Sequence, residues 1–330
     1  MVISRTPFRI SFFGGGTDYP VWFNQNRGKV ISTTINKYCY ITTRFLSPLF
    51  VYRYRIRYTF QEKRNDLSKI RHPSVRECLR YLNLGNERIE MQHNADWPAR
   101  SGLGSSSAFT VGFLNSLCAL TGQPTDKIKL ANDAIHIEQN IIQENVGSQD
   151  QTAAAFGGFN VIEFKSDGLS VSPVNIADSV SDALNRHLML FYIGMPRTAS
   201  EIAKEQIANT PKKEKELTAM LAIADEAEKI IKSGNNFFDE FGRLLDESWR
   251  IKRTLASKIS NPLIDSLYDR AKKAGATGGK LLGAGGGGFL LVYANPELHP
   301  KISSSLAKFP RVDFNFEKNG SQIIYKTQET

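Results

Sequence analysis

A glycine- and serine-rich loop is the first stretch whose residue types suggest chemistry. It consists of Ser101, Gly102, Leu103, Gly104, Ser105, Ser106 and Ser107, and a helical pattern of apolar residues follows over 105–121. The N-terminus of a helix presents free backbone N–H groups and partial positive charge, which suit a phosphate. Glycines also let the backbone approach a ligand closely. We therefore predict a phosphate-binding loop, with an ordinary turn capped by Ser105 as the alternative.

Charged residues embedded among small and apolar ones form two further clusters. Arg9 stands in the first, which ends near Asp18, and the second contains Glu138 and Asp150. Phosphoryl transfer needs a phosphate cradle, Mg²⁺ held by hard oxygen ligands, and a group that orients or deprotonates the attacking hydroxyl. The two clusters could supply the last two parts. Taken singly, Asp150 would be better explained as a helix cap and Glu138 as a solvated charge.

Familiar nucleotide-binding motifs do not account for the glycines. A P-loop would need Gly at position 274 and Ser or Thr at 281, where the chain has Ala274 and Leu281. The stretch 283–288 matches GxGxxG but precedes a strand-like segment, whereas a dinucleotide-binding loop follows a strand and opens a helix. The protein-kinase sequences HRD and DFG are absent, so that chemistry is not indicated.

Composition limits the class of protein. The chain of 330 residues is 41% hydrophobic and 23% charged, as expected of a soluble globular protein with one large or two ordinary domains. Its apolar runs are too short to cross a membrane, and its first residues lack the layout of a cleavable signal. Cys39, Cys78 and Cys118 form no CxxC pair, which favours reduced thiols over disulfides or zinc. We expect a cytoplasmic protein with no membrane partner.

The net charge of +9 admits nucleic acid, an anionic membrane or strongly anionic small molecules as partners. The most concentrated basic part is 51–60, where Arg53, Arg55 and Arg57 alternate with aromatic and apolar residues. That alternation predicts a strand with one buried face. Interleaved Arg and Tyr can also bind single-stranded nucleic acid. A solvated strand face is the simpler interpretation, and we expect no nucleic-acid partner.

These candidate sites must be positioned by a mixture of strands and helices. Strands are predicted at 2–13, 30–45, 51–60, 88–93, 159–164, 169–175, 187–193, 289–293, 311–317 and 321–326. Helices are predicted at 72–84, 105–121, 125–144, 198–208, 212–233, 236–256, 261–274 and 296–308, with a short one inside 147–156. Because these elements do not alternate as βαβ units, the pattern favours an α+β fold over a doubly wound sheet. A soft boundary near Asn185 predicts two domains, 1–185 and 186–330.

Three stretches carry a resemblance to a known family. They are Pro7 to Tyr19, Pro98 to Ala108 and Lys280 to Gly288. In this order they resemble the PGR…GEHTDY motif of galactokinases, the motif PxxxGLGSSAA, and the late glycine-rich motif of the GHMP small-molecule kinase superfamily. Within that superfamily the chain is most similar to the D-glycero-D-manno-heptose 7-phosphate kinases. Those kinases carry the forms PLRI…GGGTD and SGLGSSSAFTVG and a segment GxQDQ…AAxGGFN. In this chain the first form begins PFRI, and the third segment corresponds to 147–160.

The resemblance implies a role for each matching position. Asp150 falls on the catalytic aspartate, and Arg9 falls on the arginine that flanks it. Glu138 falls on a Mg²⁺ ligand, with Ser106 as its hydroxyl partner. The ATP phosphates are expected along 101–107. Substrate contacts are expected at Gly15, Gly16, Thr17, Asp18, Gly285 and Gly286.

Two departures from the family pattern bear on the substrate. Gly15 and Gly16 replace the Glu-His pair of galactokinases, which disfavours galactose and favours a bulkier or phosphorylated sugar. Ser148 stands where many heptose kinases are expected to have Lys, so a basic group is missing there. A second phosphate on the substrate would need its own cationic or N–H-lined site. The candidates are Arg100, Arg197 and Lys252.

The resemblance also implies the architecture and the reaction. An N-terminal domain like domain 2 of ribosomal protein S5 and a C-terminal ferredoxin-like domain are expected, with ATP and sugar in the cleft between them. The expected reaction is ATP-dependent, Mg²⁺-assisted phosphorylation of the anomeric hydroxyl of D-glycero-D-manno-heptose 7-phosphate to the 1,7-bisphosphate. A kinase for a free sugar such as fucose or galactose, or a non-catalytic sugar/ATP sensor, stays open as an alternative. Retention of Asp150, Arg9 and Glu138 argues against the sensor. A homodimer is also left open.

Overall fold

A computed structural model of the chain describes residues 1–98, 102–194, 199–234 and 237–327. Its strands are β1 (Val2–Phe13), β2 (Gly28–Phe45), β3 (Tyr54–Arg57), β4 (Gln61–Arg64), β5 (Ile89–Ala95), β6 (Phe159–Lys165), β7 (Gly168–Pro173), β8 (Leu188–Gly194), β9 (Gly278–Leu281), β10 (Gly288–Tyr293), β11 (Arg311–Val312), β12 (Phe316–Glu317) and β13 (Gln322–Lys326). Its helices are α1 (Pro20–Phe23), α2 (Pro73–Tyr81), α3 (Ser105–Thr121), α4 (Lys127–Ile135), α5 (Gln149–Phe156), α6 (Asp178–Arg186), α7 (Ala199–Asn209), α8 (Glu214–Ser233), α9 (Phe238–Lys252), α10 (Pro262–Lys273) and α11 (His299–Ser305). This mixture of helices and largely antiparallel sheets confirms the predicted α+β class.

Two sheets organise the molecule. The larger has nine strands, with β13-β1-β2-β5-β3-β4 as its main path, β6 and β12 also pairing with β2, and β7 pairing with β6. The smaller has four strands in the order β11-β8-β10-β9. Because β13 pairs with β1 and β12 with β2, the end of the chain returns to the sheet of its beginning. The boundary predicted near residue 185 precedes β8, and the division into 1–185 and 186–330 stays a prediction.

Helix α3 is the buried helix of the larger sheet. Its residues are apolar or small on all sides, and every one from Ser107 to Cys118 is buried. Gly112 allows a close approach to β1, since a Cβ there would stand 2.6 Å from Thr6 Oγ1. The backbone N–H of Arg9 donates to the carbonyl of Leu103 at 3.1 Å. The N-terminus of α3 is thereby fixed beside β1.

An aromatic cluster joins the end of β1 to α9. The rings of Phe12 and Phe13 lie 5.3 and 5.0 Å from that of Phe241, both edge to face. Helix α9 in turn lies directly on β9, because a Cβ on Gly278 would stand only 2.0 Å from the carbonyl oxygen of Gly242. The smaller sheet and α9 are thus held against the end of β1, where the chain turns into Gly14.

The basic segment at 51–60 forms a shorter strand than predicted. Only Tyr54–Arg57 is extended, and it pairs with β4 and β5. Tyr54 and Ile56 are fully buried, as the alternation predicted. Arg55 donates from Nε to Glu90 Oε1 at 2.5 Å. The positive face of this strand therefore has a carboxylate partner within the fold.

Two other predicted elements are divided in the structure. The helix predicted at 125–144 is α4 followed by a wider π-type turn at His136–Ile141, while Asp126 caps α4 as predicted by accepting from Lys129 N. The strand predicted at 311–317 is divided between the two sheets. Helix α6 and strand β9 were not predicted. No described helix combines the length and apolar character needed to cross a membrane.

Candidate active site

A cleft of about 510 Å³ opens where the end of β1, the N-termini of α3 and α5, α9 and the loop after β9 meet. The predicted phosphate loop forms one wall with Gly102, Gly104, Ser105 and Ser106, while Leu103 and Ser107 are buried behind it. The predicted loop residue Ser101 and the candidate cations Arg100 and Arg197 lie outside the described residues.

Arg9 and Asp150 form a bidentate ion pair inside the cleft. Arg9 Nε and Nη2 donate to the two oxygens of Asp150 at 2.7 and 2.9 Å. The third nitrogen, Nη1, donates to the carbonyl of Gly102 at 2.8 Å. Arg9 is only 3% exposed, whereas a quarter of the Asp150 side chain faces the cleft. The pair therefore joins the candidate catalytic carboxylate to the phosphate loop.

Gly104 makes this arrangement possible. Its φ is +74°, and a Cβ there would stand 3.3 Å from Arg9 Cγ and from Asp150 Cγ. A side chain would therefore strain the backbone and crowd the ion pair. Asp150 itself lies in the first turn of α5 and not at its cap, which is Ser148. The capping alternative for Asp150 is wrong, because its carboxylate is engaged by Arg9.

Asp18 closes the turn that follows β1. Its carboxylate accepts from the N–H of Gly16 at 2.9 Å, and its carbonyl accepts from the N–H of Ser148 at 2.9 Å. Burial raises the pKa of Asp18, and the nearby Asp150 charge adds to this, while the backbone donors oppose it. Gly147 is required beside it, since a Cβ there would stand 1.9 Å from Asp18 Oδ2. Asp18 lines the cleft and at the same time ties the first motif to α5.

Other predicted substrate contacts divide into two groups. Gly15, Gly16 and Gly285 line the cleft. Thr17 is fully buried, and its hydroxyl bonds to the carbonyls of Gly14 and Lys29, so it supports the turn from behind. Gly286 donates its N–H to the carbonyl of Ile259 and likewise is not among the cleft-lining residues.

Glu138 is fully buried in the π-type turn behind the phosphate loop. Ser107 Oγ and Gln151 Nε2 donate to its Oε2 at 2.8 and 2.5 Å. Burial raises the pKa of Glu138 to about 7, although the neighbouring donors lower it. Its Oε1 has no partner within hydrogen-bond distance in the described part of the chain, although the Thr110 hydroxyl lies near enough to help lower the pKa. A buried carboxylate oxygen with a free lone pair fits the hard ligand that Mg²⁺ prefers.

The predicted hydroxyl partner of Glu138 lies elsewhere. Successive residues of a helix point about 100° apart, so Ser107 faces Glu138 and Ser106 faces the cleft. Ser106 is exposed, as a group that meets a phosphate-bound cation must be. The assignment of Glu138 and Ser106 to Mg²⁺ stays a prediction.

Two buried lysines also line the cleft. Lys252, at the end of α9, donates from Nζ to the carbonyl of Gly283 at 2.7 Å, and Lys280, on β9, donates to the carbonyl of Phe12 at 2.7 Å. Burial lowers the pKa of both, that of Lys252 to about 8. Lys280 was assigned no role from the sequence, although it begins the third motif and stands three positions before the first glycine of the cluster at 283–288. Gln149, beside Asp150, was missed in the same way.

Comparison with known proteins identifies the family. The model described as "GHMP kinases N terminal domain" matches residues 73–158, and that described as "GHMP kinases C terminal" matches 220–311. A D-glycero-alpha-D-manno-heptose 7-phosphate kinase of Campylobacter jejuni is 29% identical over 334 residues, which cover 96% of this chain and 97% of that protein. An L-fucokinase/L-fucose-1-P guanylyltransferase of Bacteroides fragilis is 28% identical over 362 residues, which cover 95% of this chain but 37% of that protein.

The fold agrees with these matches. The crystal structure of a D-glycero-D-manno-heptose 1-phosphate kinase from Bacteroides thetaiotaomicron is similar over 100% of both chains, with a TM-score of 0.81 at 24% identity. The predicted superfamily and its fold are confirmed by whole-length similarity and by a family match in each half. The chain therefore belongs to the GHMP kinases.

Proposed function

We propose that this GHMP kinase, a phosphotransferase that acts on sugars, transfers the γ-phosphoryl group of ATP to the anomeric hydroxyl of D-glycero-D-manno-heptose 7-phosphate. The product is the 1,7-bisphosphate. The observation that carries the reaction type is the Arg9–Asp150 pair, which faces the cleft beside the phosphate loop. The whole-length similarity to a heptose 7-phosphate kinase supports the acceptor.

Asp150 is the group that takes or orients the proton of the acceptor hydroxyl. Each of its oxygens accepts one hydrogen bond from Arg9 and retains lone-pair capacity for a second donor. Arg9 fixes the direction of the carboxylate and places positive charge beside the attacking oxygen. A positioned base of this kind contributes about 10²–10⁴-fold to the rate.

The phosphate loop and Glu138 serve the donor. The first residues of α3 line the cleft, and the free N–H groups of a helix N-terminus are suited to the ATP phosphates. Glu138 and Ser106 would hold Mg²⁺ together with phosphate oxygens. When bound, Mg²⁺ neutralises negative charge on the phosphates.

The glycines after β1 favour an anionic acceptor. Gly15 and Gly16 face the cleft without side chains, and neither carries the negative charge that would repel an anionic acceptor. The buried lysines Lys252 and Lys280 add positive charge to the cleft as a whole, which suits ligands that carry phosphate. A free-sugar kinase is the second candidate, supported by the similarity to the bifunctional fucokinase of Bacteroides fragilis.

A panel of acceptors tests the proposal. Purified protein with ATP and Mg²⁺ is offered D-glycero-D-manno-heptose 7-phosphate, the unphosphorylated heptose, fucose and galactose, and ADP release is measured. ³¹P and ¹H NMR of the product then identify the phosphorylated position and the anomer. We expect the heptose 7-phosphate to be preferred and to gain phosphate at the anomeric carbon. Preference for fucose or for another hydroxyl would contradict the proposal.

A further inference from the structure

Lys252 occupies an unusual place at the end of α9. The buried face of that helix runs through Phe241, Leu245 and Ser248, which follow one another at intervals of three or four residues and are fully or almost fully buried. Lys252 continues the same face and is only 6% exposed. Lysine is rarely buried without a partner. Among the described residues its ammonium group forms one hydrogen bond, to the carbonyl of Gly283.

Polar groups without partners surround the space next to this ammonium group. A Cβ built on Gly15 would stand 3.7 Å from Gln149 Nε2, 3.8 Å from Ser11 Oγ and 4.0 Å from Lys252 Nζ. Ser11 Oγ and Gln149 Oε1 are buried, and neither has a hydrogen-bond partner in the part of the chain that the structure describes. Buried polar groups are normally paired. A ligand that presents both hydroxyl donors and oxygen acceptors would pair with the Gln149 amide, the Ser11 hydroxyl and the Lys252 ammonium group.

The same ammonium group adjoins the phosphate loop. Its acceptor, Gly283, touches Gly102, since a Cβ on Gly283 would stand 2.6 Å from the Cα of Gly102. The carbonyl of Gly102 in turn accepts from Arg9, the partner of Asp150. Lys252 thus adjoins the loop proposed to receive the donor phosphates, and it lies near enough to Asp150 for their charges to interact. The transferred phosphoryl group must pass through this region.

We propose that Lys252 is a further catalytic residue, whose ammonium group donates hydrogen bonds to an oxygen of the transferred phosphoryl group. The inference rests on the proposed phosphoryl transfer. In that step the acceptor oxygen bonds to the γ-phosphorus, the bond from that phosphorus to the β–γ bridging oxygen breaks, and the electron pair leaves with ADP. The acceptor proton goes to Asp150, and Lys252 keeps its own.

The charges that face Lys252 come from four elements or loops. Arg9 on β1 and Lys280 on β9 are cations, while Asp18 after β1 and Asp150 on α5 are anions. Burial and, to a smaller extent, the charge of Arg9 lower the pKa of Lys252 to about 8, although the two aspartates oppose the shift. The charged form is therefore present below pH 8 and is lost as the pH rises through that value. If Lys252 acts as a cation, kcat/KM falls over the same range.

Binding measurements and kinetics on three variants test the proposal. Calorimetry compares AMPPNP with ADP in one Mg²⁺ buffer, because only AMPPNP carries the terminal phosphoryl group. For Lys252→Met we expect the preference for AMPPNP over ADP to fall about tenfold or more, and kcat to fall about 10²–10³-fold with every acceptor. Lys252→Arg keeps the charge at all pH values, so it recovers part of kcat and removes the fall in kcat/KM near pH 8. Arg250→Met, on the exposed side of the same helix, is the matched control.

Two results would overturn the inference. One is an unchanged AMPPNP preference and kcat in Lys252→Met. The other is a loss confined to kcat/KM for phosphorylated acceptors, which would assign Lys252 to the acceptor's own phosphate. Lys252→Gln replaces the Met variant if the latter does not fold. Because the nucleotide comparison needs no acceptor, it still tests Lys252 if the wild type phosphorylates none of the sugars offered and the proposed acceptor fails.

Discussion

The carboxylate of Asp150 has to serve two partners at once. Both of its oxygens already accept from Arg9, and one of them must also accept from the acceptor hydroxyl. The third nitrogen of Arg9 donates to a carbonyl of the phosphate loop. A change in the charge of Asp150 should therefore affect proton transfer while leaving most of this geometry in place.

The Asp150→Asn variant separates the effect of the carboxylate charge from that of the site's geometry. The amide oxygen still accepts from one Arg9 nitrogen, but the amide NH₂ faces the other Arg9 donor and the nearly buried guanidinium loses its counter-charge. We therefore expect a lower melting temperature, with an AMPPNP affinity close to that of the wild type. Because the amide is a poor base, kcat should fall about 10²–10⁴-fold. Steady-state kinetics, calorimetry and thermal melting measure the three quantities. Asp269→Asn, at an exposed position of α10, should leave all three unchanged. Turnover near the wild-type rate in Asp150→Asn would remove this residue from the mechanism.

Glu138 differs from Asp150 in being wholly enclosed. For Glu138→Gln we expect the Mg²⁺ concentration that gives half-maximal activity to rise about tenfold or more, with little change in the KM of the sugar. Without Mg²⁺ the variant should unfold at the same or a higher temperature, because a buried unpaired charge is costly. Activity is titrated with Mg²⁺, and Glu247→Gln on the exposed side of α9 is the control. An unchanged Mg²⁺ titration would argue against a metal ligand.

The sequence indicated which residues form the site more reliably than which of their side chains touch. The family motifs brought Arg9 and Asp150 together although they are 141 positions apart. They did not show that Ser107 and not Ser106 touches Glu138, because that depends on the rotation of α3 against a π-type turn. The position of Lys252 depends on how α9 lies on β9, which no local pattern specifies.

At the scale of elements, the sequence indicated a helix rich in apolar residues and missed elements that are poor in them. Helix α3 begins and ends where the pattern placed it, at Ser105 and Thr121. Strand β9 contains two glycines, which strands usually disfavour, and its pairing with β10 is what makes it a strand. Helix α6 buries only Leu184, so its apolar signal was too sparse to recognise.

The cleft depends on the packing contact between α9 and β1. Phe241 is fully buried and packs edge to face on both Phe12 and Phe13. Removing its ring leaves a cavity, so we expect Phe241→Ala to lower the free energy of unfolding by about 3–5 kcal/mol, measured in urea. Phe60→Ala, at a side chain that is 69% exposed, is the matched control and should change little.

Phe241→Ala should also disturb the site at a distance. Lys252 lies three turns further along the same face of α9. Weaker packing of α9 against β1 should therefore weaken AMPPNP binding in the folded variant. A loss of stability below about 1 kcal/mol would show that the cluster does not hold α9 against β1.

At the scale of the whole molecule, we expect the net positive charge of the chain to favour a negatively charged substrate. A net charge of +9 attracts anions at long range, and this attraction is screened by salt. The contribution of buried cations in the cleft, such as Lys252 and Lys280, is screened much less. The two effects can be separated by the salt dependence of kcat/KM.

We expect kcat/KM for heptose 7-phosphate to exceed that for the unphosphorylated heptose about 100-fold or more at low salt, since a charge-assisted hydrogen bond is worth about 1.5–3 kcal/mol and a phosphate accepts several. The comparison is made at saturating ATP in about 20 and 500 mM salt, a range over which the Debye length falls several-fold. If the distal phosphate binds in an enclosed part of the cleft, most of the advantage survives at high salt. If it binds an exposed cationic surface, the kcat/KM values of the two sugars approach each other as the salt concentration rises. Equal efficiency on the two sugars at low salt would contradict a phosphorylated acceptor and would favour the free-sugar kinase.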